Sequence, residues 1–159
     1  TNIAPRNIVR LAACGLLAVA LPALTGCASK VGTLSFRCGP AINGGLALAV
    51  DVIRATESEA QEIQEMGEKW FYDQSRYNIQ GQNRIQTVTF KTGEGAGPCD
   101  KVVSVPVSKG ERYLVIIADY KFQNPDPTRH VIVLSREKWV GQKILVSVLE
   151  RELSVERRW

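Results

Sequence analysis

The stretch Tyr113-Leu114-Val115-Ile116-Ile117-Ala118-Asp119-Tyr120 is an almost continuous run of apolar residues. A short run of this kind, rich in β-branched and aromatic side chains, is typical of a central β-strand that is buried on both faces. We therefore predict a strand here, and the patterns on either side of it decide what surrounds it.

The other strands are predicted from alternation and composition. Apolar side chains occupy alternate positions from Leu46 to Val52 in the segment 46–54, which indicates a strand with one buried face. Pro106 places the segment 103–107 at a sheet edge. Further strands are predicted at residues 33–37, 84–91, 130–134 and 143–149. About seven to eight short strands, separated by frequent turn residues, are typical of a β-sandwich or barrel.

One amphipathic helix is predicted among these strands. Thr56 and Glu59 form a capping-box pattern at its start, and apolar residues follow at helical spacing from Ile63 to Trp70. We expect Trp70-Phe71-Tyr72 to seat the end of this helix on the sandwich. Its glutamates are most simply a solvated face, with partner binding as the alternative.

The N-terminal segment has the order of features found in an export signal. Arg6 and Arg10 precede an apolar stretch, residues 11–21, that is too short to span a bilayer as a permanent helix. Leu24-Thr25-Gly26-Cys27 follows and resembles the lipobox of bacterial lipoproteins. We therefore expect residues 1–26 to be a signal peptide and residues 27–159 to form one periplasmic domain.

The same resemblance implies a covalent lipid anchor. Cys27 would carry diacylglycerol and palmitate, and the protein would need no other cofactor. Ala28 follows the cysteine where an inner-membrane retention signal would have aspartate, so we expect the periplasmic face of the outer membrane. The alternative is an ordinary secretory signal with a chance cysteine.

Charge and cysteine content restrict the remaining possibilities. The chain has 20 basic and 16 acidic residues, and loss of the signal's two arginines leaves a balance that gives little reason to expect nucleic acid. In an oxidising compartment Cys38 and Cys99 are predicted to form a disulfide, worth about 4 kcal/mol by loop closure. Two buried free thiols are the alternative, and no motif suggests a metal site.

The sequence offers little support for catalysis. His130 is the only histidine, and at the edge of a predicted strand it is expected to be solvated or hydrogen-bonded. Neither a Gly-x-Ser-x-Gly motif nor a phosphate-binding loop is present, since Pro98 and Cys99 follow the glycines of residues 93–97 without opening a helix. Trp139 is expected either to pack in the core or to present an exposed aromatic ring to a partner.

Several of these features occur together in one arrangement. A lipobox, a short first strand and a loop with Asn43 are followed by Asp51-Val52-Ile53-Arg54 running into one helix, and Ala118-Asp119-Tyr120-Lys121 ends a late apolar strand. This arrangement is similar to the TssJ (VasD-like) outer-membrane lipoproteins of type VI secretion, whose late strand ends in Ala-x-Tyr-Arg. The resemblance implies a transthyretin-like β-sandwich with one inserted amphipathic helix. It also implies a structural role, anchoring the periplasmic part of the inner-membrane protein TssM to the outer membrane.

Members of that family use the loop between their first two strands for this contact. The matching residues here are Gly39, Pro40, Ala41, Ile42, Asn43, Gly44 and Gly45. Asn43 stands in the place of a recurrent asparagine, and Gly44 replaces the proline that often follows it. Ile42, if exposed at the tip, would be the apolar anchor. A simple β-turn without a partner is the alternative.

Two functions from different classes follow. The first is a non-catalytic lipoprotein that anchors a secretion complex and binds a TssM-like inner-membrane protein. The second is a free-standing periplasmic lipoprotein that binds a small ligand or cell-wall component, for which we expect a concave, aromatic-lined pocket in the sandwich.

Overall fold

The computed structural model describes residues 31–91, 99–121 and 126–157. Within these ranges the chain forms eight strands, three α-helices and three short 3₁₀ segments. The strands are β1 (Val31–Cys38), β2 (Leu48–Ala55), β3 (Ile85–Phe90), β4 (Lys101–Pro106), β5 (Tyr113–Ala118), β6 (Val131–Ser135), β7 (Lys143–Val148) and β8 (Leu153–Arg157). The α-helices are α1 (Glu57–Met66), α2 (Gln74–Gly81) and α3 (Arg136–Trp139), and the 3₁₀ segments are Ile42–Gly45, Gly67–Tyr72 and Pro127–His130.

The strands form two four-stranded sheets, in the orders β4-β1-β7-β8 and β3-β2-β5-β6. Every strand pair is antiparallel except β1 with β7, which run parallel with Thr33 opposite Lys143. The inner faces of the two sheets share one apolar core, in which Phe36 and Phe90 lie 5.6 Å apart between ring centres. The predicted β-sandwich is confirmed.

The central strand β5 is buried on both faces, as its sequence predicts. Leu114, Ile116 and Ala118 point into the core between the sheets. Val115 and Ile117 point the other way and lie under the helical insertion between β2 and β3, in a second apolar cluster with Ile63 and Trp70. The sequence of β5 is apolar on both faces because the helical insertion covers the outer face of this sheet.

The insertion contains more helix than the single element predicted. The capping box is present: the Glu59 backbone N–H donates to Thr56 Oγ1, and the Thr56 backbone N–H donates to Glu59 Oε2. α1 ends at Gly67, whose φ of 55° favours glycine. The chain continues through a 3₁₀ turn, and Asp73 then caps α2 by accepting from the Ser75 N–H. Trp70 and Phe71 are buried as expected, whereas Tyr72 is 81% exposed and does not seat the helix.

A buried carboxylate fastens this insertion to the sheet. Asp51 of β2 is fully buried on the outer face. Its carboxylate accepts from Trp70 Nε1 at 3.1 Å, from Arg76 Nε at 2.7 Å and from Thr87 Oγ1 at 2.6 Å. The 3₁₀ turn, α2 and β3 are therefore all bonded to one side chain, and the charge of Asp51 is matched by Arg76.

Three smaller features complete the fold. β8 was not among the predicted strands; it pairs with β7 through Val146 and Val155. Trp139 is fully buried in the core, which confirms the first of its two predicted placements and excludes the exposed ring. The described part of the chain contains no helix that is both long and apolar enough to cross a membrane.

Replacing Arg76 with methionine should strongly destabilise the protein. The change leaves the Asp51 carboxylate buried without a cation, which costs about 3 kcal/mol or more of unfolding free energy. Urea unfolding followed by tryptophan fluorescence measures this cost. The matched control is Arg129→Met, which breaks more exposed ion pairs with Asp126 and Glu152 and should cost less than about 1 kcal/mol. Equal losses in the two variants would contradict a special role for Asp51.

Candidate functional site

The loop between β1 and β2 is held tightly at its base. The Gly39 N–H donates to Val148 O at 2.8 Å, and the Asn43 N–H donates to Glu150 O at 3.0 Å. Asn43, Gly44 and Gly45 have φ values of 46°, 61° and 83°. Three consecutive residues in the left-handed region explain the sequence Asn-Gly-Gly, because asparagine and glycine adopt this conformation at the lowest cost.

The Asn43 side chain is fully buried and fully engaged. Its amide nitrogen donates to Ala47 O at 2.8 Å, and its oxygen accepts from the Lys121 N–H at 2.9 Å. One residue thus joins the β1–β2 loop to the end of β5 and, through its backbone, to the turn between β7 and β8. Asn43 supports the loop from inside and is not itself a contact surface.

Ile42 is also fully buried and packs in the core between the sheets. The expectation that it forms an exposed apolar anchor is therefore wrong. The 3₁₀ turn of Ile42–Gly45 directs this side chain inward, and that direction follows from backbone geometry, which loop composition does not specify. The exposed residues of the segment are Pro40, Ala41, Gly44, Gly45, Leu46 and Ala47.

Leu46 supplies the exposed apolar side chain that was expected of Ile42. It is 40% exposed and lies immediately after the left-handed turn, before β2 begins at Leu48. The sequence assigned Leu46 to the buried face of a strand, since it continues the alternation with Leu48 and Val50. It is instead part of the loop surface.

The neighbouring turns are rigid as well. Leu149 O and Glu152 O share the single proton of the Tyr120 hydroxyl, at 3.1 and 2.8 Å from its oxygen. Burial raises the pKa of Tyr120, so this hydroxyl remains a donor at any physiological pH. The turn between β7 and β8 is therefore fixed to the end of β5.

His130 belongs to this support. It is buried, its ring centre lies 4.9 Å from that of Tyr120, and its Nε2 lies 3.0 Å from Arg151 O. Its Nδ1 lies 3.1 Å from a carboxylate oxygen of Glu68. The Nε2 contact agrees with the expectation of a hydrogen-bonded histidine and joins the 3₁₀ segment Pro127–His130 to the β7–β8 turn, whereas Nδ1 has no hydrogen-bond partner among the described residues. Among the residues that the structure describes, no cluster of His, Cys, Asp or Glu could hold a metal ion.

The two cysteines meet beside the start of the loop. Cys38 and Cys99 form a disulfide with their Cα atoms 5.7 Å apart. Cys38 is paired with Val148 of β7 on one side, but on the other side the register with β4 ends at Phe36 and Lys101. The disulfide therefore holds the end of β1 on the side where its pairing with β4 has ended. Cys27 and the glycine-rich residues 93–98 lie outside the described residues.

Replacing Asn43 with alanine should destabilise the loop and the whole domain. The Lys121 N–H and the Ala47 carbonyl lose their partner, and the left-handed backbone becomes strained, for a combined cost of about 3 kcal/mol. Asn83 is the matched control, since its φ is 55° but its side chain is exposed. Asn83→Ala should cost about 1 kcal/mol, the backbone strain alone. Thermal unfolding of both variants measures the difference, and equal costs would mean that the Asn43 side chain contributes nothing.

Thiol alkylation of the denatured, unreduced protein should leave Cys38 and Cys99 unmodified. Reduction should lower the free energy of unfolding by about 4 kcal/mol, because the bond closes a long loop of the unfolded chain. Mass spectrometry after alkylation, combined with urea unfolding with and without reductant, measures both effects. Two alkylated thiols in the unreduced sample would show that the pair is not formed in the natural protein.

Comparison with known proteins shows a relationship at the level of fold. No protein-family model matches the chain, and no curated protein matches it in sequence. Among solved structures, the T6SS lipoprotein TssJ1 from Pseudomonas aeruginosa superposes with a TM-score of 0.60 at 12% identity, over 82% of this chain and 98% of that one. A chain of a structure described as the type VI membrane complex gives a TM-score of 0.64 at 16% identity, over 80% and 98%.

A third match is a chain of a structure described as the T6SS protein TssM C-terminal domain from EAEC. Its TM-score is 0.60 at 14% identity, over 81% of this chain and 99% of that one. The matches extend over nearly the whole of the solved chains and include both sheets of the present sandwich. The resemblance expected from the sequence is thus found in three dimensions, and this chain has the fold of type VI secretion lipoproteins of the TssJ kind.

Proposed function

We propose that this protein is a lipid-anchored component of a type VI secretion-like envelope complex, where it binds the periplasmic part of a TssM-like inner-membrane protein. The observation that carries the proposal is the fold shared with a TssJ lipoprotein and with a chain of the type VI membrane complex, over nearly their whole length. Fold alone does not fix function. The arrangement of the chain around the β1–β2 loop adds a second argument.

The loop and the start of the domain lie at opposite ends of β1. This strand has eight residues, from Val31 to Cys38, and spans about 26 Å at ~3.3 Å per residue. A lipid on Cys27 would hold the sandwich at the Val31 end. The loop would then face away from the membrane that carries the lipid, toward proteins that cross the periplasm.

The loop is suited to binding because its surface is preorganised. Asn43 and Ile42 fix the backbone from within, so Gly44, Gly45 and Leu46 are presented without a large entropy cost on binding. Leu46 supplies apolar area that a partner pocket could bury. Within the predicted contact region, we assign binding to the exposed residues and support to the buried ones.

The proposed role is structural, without catalysis. The solved chains that share this fold include a lipoprotein and a membrane-complex component. The one histidine and the buried Asp51 are used in packing contacts described above. The protein is placed at the periplasmic face of the outer membrane, attached through diacylglycerol and palmitate on Cys27.

The alternative of a ligand-binding lipoprotein has less support. The space between the sheets is filled by large side chains, including Phe36, Phe90 and Trp139. A groove of about 670 Å³ lies along β1, β4 and β7, and its lining includes Arg37, Lys101 and Lys143, with Phe36 as its one aromatic residue. The aromatic-lined pocket expected for a ligand-binding sandwich is not found among the described residues.

Replacing Leu46 with aspartate should abolish partner capture while leaving the fold intact. The change removes the exposed apolar side chain of the loop and adds a charge that would be desolvated in an interface. The measurement is a crosslinking pull-down of the lipidated protein from its own envelope, read by mass spectrometry. A large inner-membrane protein should be recovered with the natural chain and lost, by tenfold or more, with the variant.

Val102→Asp is the matched control. Val102 is 70% exposed on β4 and is not a loop residue, so this variant adds the same charge outside the proposed contact and should retain the partner. Recovery of the inner-membrane protein with the Leu46 variant would move the contact away from the loop. If only abundant porins are recovered with the natural chain, the secretion role itself is wrong.

A further inference from the structure

A second surface, at the opposite end of the sandwich from the β1–β2 loop, is defined by the start of β1. The Gly141 N–H donates to Val31 O at 3.1 Å, and the Thr33 N–H donates to Gln142 O at 3.0 Å. Val31 also pairs with Pro106, the last residue of β4. The segments that follow β4 and β6 therefore meet here. We call this surface the anchor pole and define it as residues 107–112, residues 136–143 and Val31.

The anchor pole carries exposed positive charge without internal partners. Its exposed cations are Lys109, Arg112, Lys138 and Lys143. None of them forms an ion pair with another residue in the part of the chain that the structure describes. Arg136 lies among them and donates to Ser108 O at 2.9 Å, which ties the two segments of the pole together.

Two carboxylates near this pole, Glu59 and Glu111, are paired with arginines. Glu111 lies 3.2 Å from Arg54 and 4.0 Å from Arg84. Glu59 is paired with Arg84 at 2.6 Å, and this hydrogen bond lowers the pKa of the carboxyl to about 2. A third carboxylate, Glu137, is hydrogen-bonded to the Ser135 hydroxyl and keeps its negative charge.

Two further glutamates near this end, Glu57 and Glu156, are exposed. Neither forms an ion pair within the described residues. With Glu137 they make three carboxylates against the four cations and Arg136, so the described residues of the pole keep a positive excess.

The chain between the proposed lipid and this pole is very short. Four Cα steps separate Cys27 from Val31, and at most ~3.6 Å per residue this tether spans about 14 Å when fully extended. The Debye length at physiological salt is about 8 Å. A lipid on Cys27 would therefore let the pole come within a Debye length of the membrane surface and would prevent it from moving far from that surface.

We propose that the anchor pole lies against anionic lipid headgroups and fixes the orientation of the domain on the membrane. Lys109, Arg112, Lys138 and Lys143 would contact lipid phosphates, with charge-assisted hydrogen bonds from their ammonium and guanidinium groups. The β1–β2 loop then points away from the bilayer. This inference rests on the lipid anchor of the proposed function, and it adds a second, electrostatic contact to it.

The test uses the processed, lipidated protein in vesicles whose headgroups carry a fluorescence quencher. A dye is attached to a cysteine introduced at Gln142, in the anchor pole, or at Ala47, at the end of the loop; both positions are exposed and outside the disulfide. In vesicles that contain phosphatidylglycerol, the dye at position 142 should be strongly quenched and the dye at position 47 should not. In phosphatidylcholine alone, or in about 1 M salt where the Debye length is ~3 Å, this difference should shrink.

Charge variants identify the residues responsible. Each cation removed should lower the ratio of membrane-facing to other orientations about fivefold. The pole variant combines Lys109→Glu, Arg112→Glu, Lys138→Glu and Lys143→Glu. The matched control makes the same net change at exposed cations elsewhere, Arg37→Glu, Lys69→Glu, Lys91→Glu and Lys121→Glu. The pole variant should lose the orientation and the control should keep it.

The possible failures are distinguishable. If palmitate labelling of the natural chain is absent, or is unchanged by Cys27→Ser, the lipid anchor is wrong and the proposed function loses its attachment. If the protein is lipidated and vesicle-bound but quenching is equal at both positions, or independent of lipid charge, the anchor-pole inference alone is overturned.

Discussion

The hydrogen bonds of Asn43 are the constraint on which the β1–β2 loop end of this molecule depends. Its backbone N–H, amide nitrogen and side-chain oxygen bind Glu150, Ala47 and Lys121 respectively. A buried amide must satisfy these groups, since each unpaired one would cost about 1–3 kcal/mol. Both sheets are therefore joined at this end through one residue, by its side chain on one sheet and its backbone on the other. The exposed glycines beside it inherit a fixed backbone, so the conformational freedom expected of an Asn-Gly-Gly loop is largely absent.

A second buried polar group organises the opposite face of the β3-β2-β5-β6 sheet. Asp51 lies in the middle of an otherwise apolar strand and binds Trp70, Arg76 and Thr87. Apolar packing holds the insertion on the sheet, but apolar contacts have little directional preference. The hydrogen bonds to the carboxylate are directional, because the donors of Trp70, Arg76 and Thr87 must all reach it at once. The helical layer in turn explains why β5 is apolar along its whole length.

Periodicity was sufficient to predict the sandwich, and β5 illustrates why. A strand buried on both faces has a sequence that no exposed element shares, and the capping box at Thr56 is equally local. The errors arose where side-chain direction depends on tertiary structure. Ile42 and Leu46 are similar apolar residues near one turn, yet the first is buried and the second exposed, because three left-handed residues reverse the chain between them. The existence of β8 and the choice between the two placements of Trp139 depend on neighbouring strands, which a single segment of sequence does not describe.

The arrangement of β1 links the two ends of the proposed assembly. β1 is hydrogen-bonded to β4 on one side and to β7 on the other, with registers of six residue pairs each. In the proposed arrangement the lipid tether joins one end of this strand and the partner-binding loop joins the other, so β1 is the shortest covalent path between membrane and partner. A load along that path would act parallel to the strand and would have to shear both ladders at once. The disulfide at Cys38 extends this support to the last residue, where the β4 ladder has already ended.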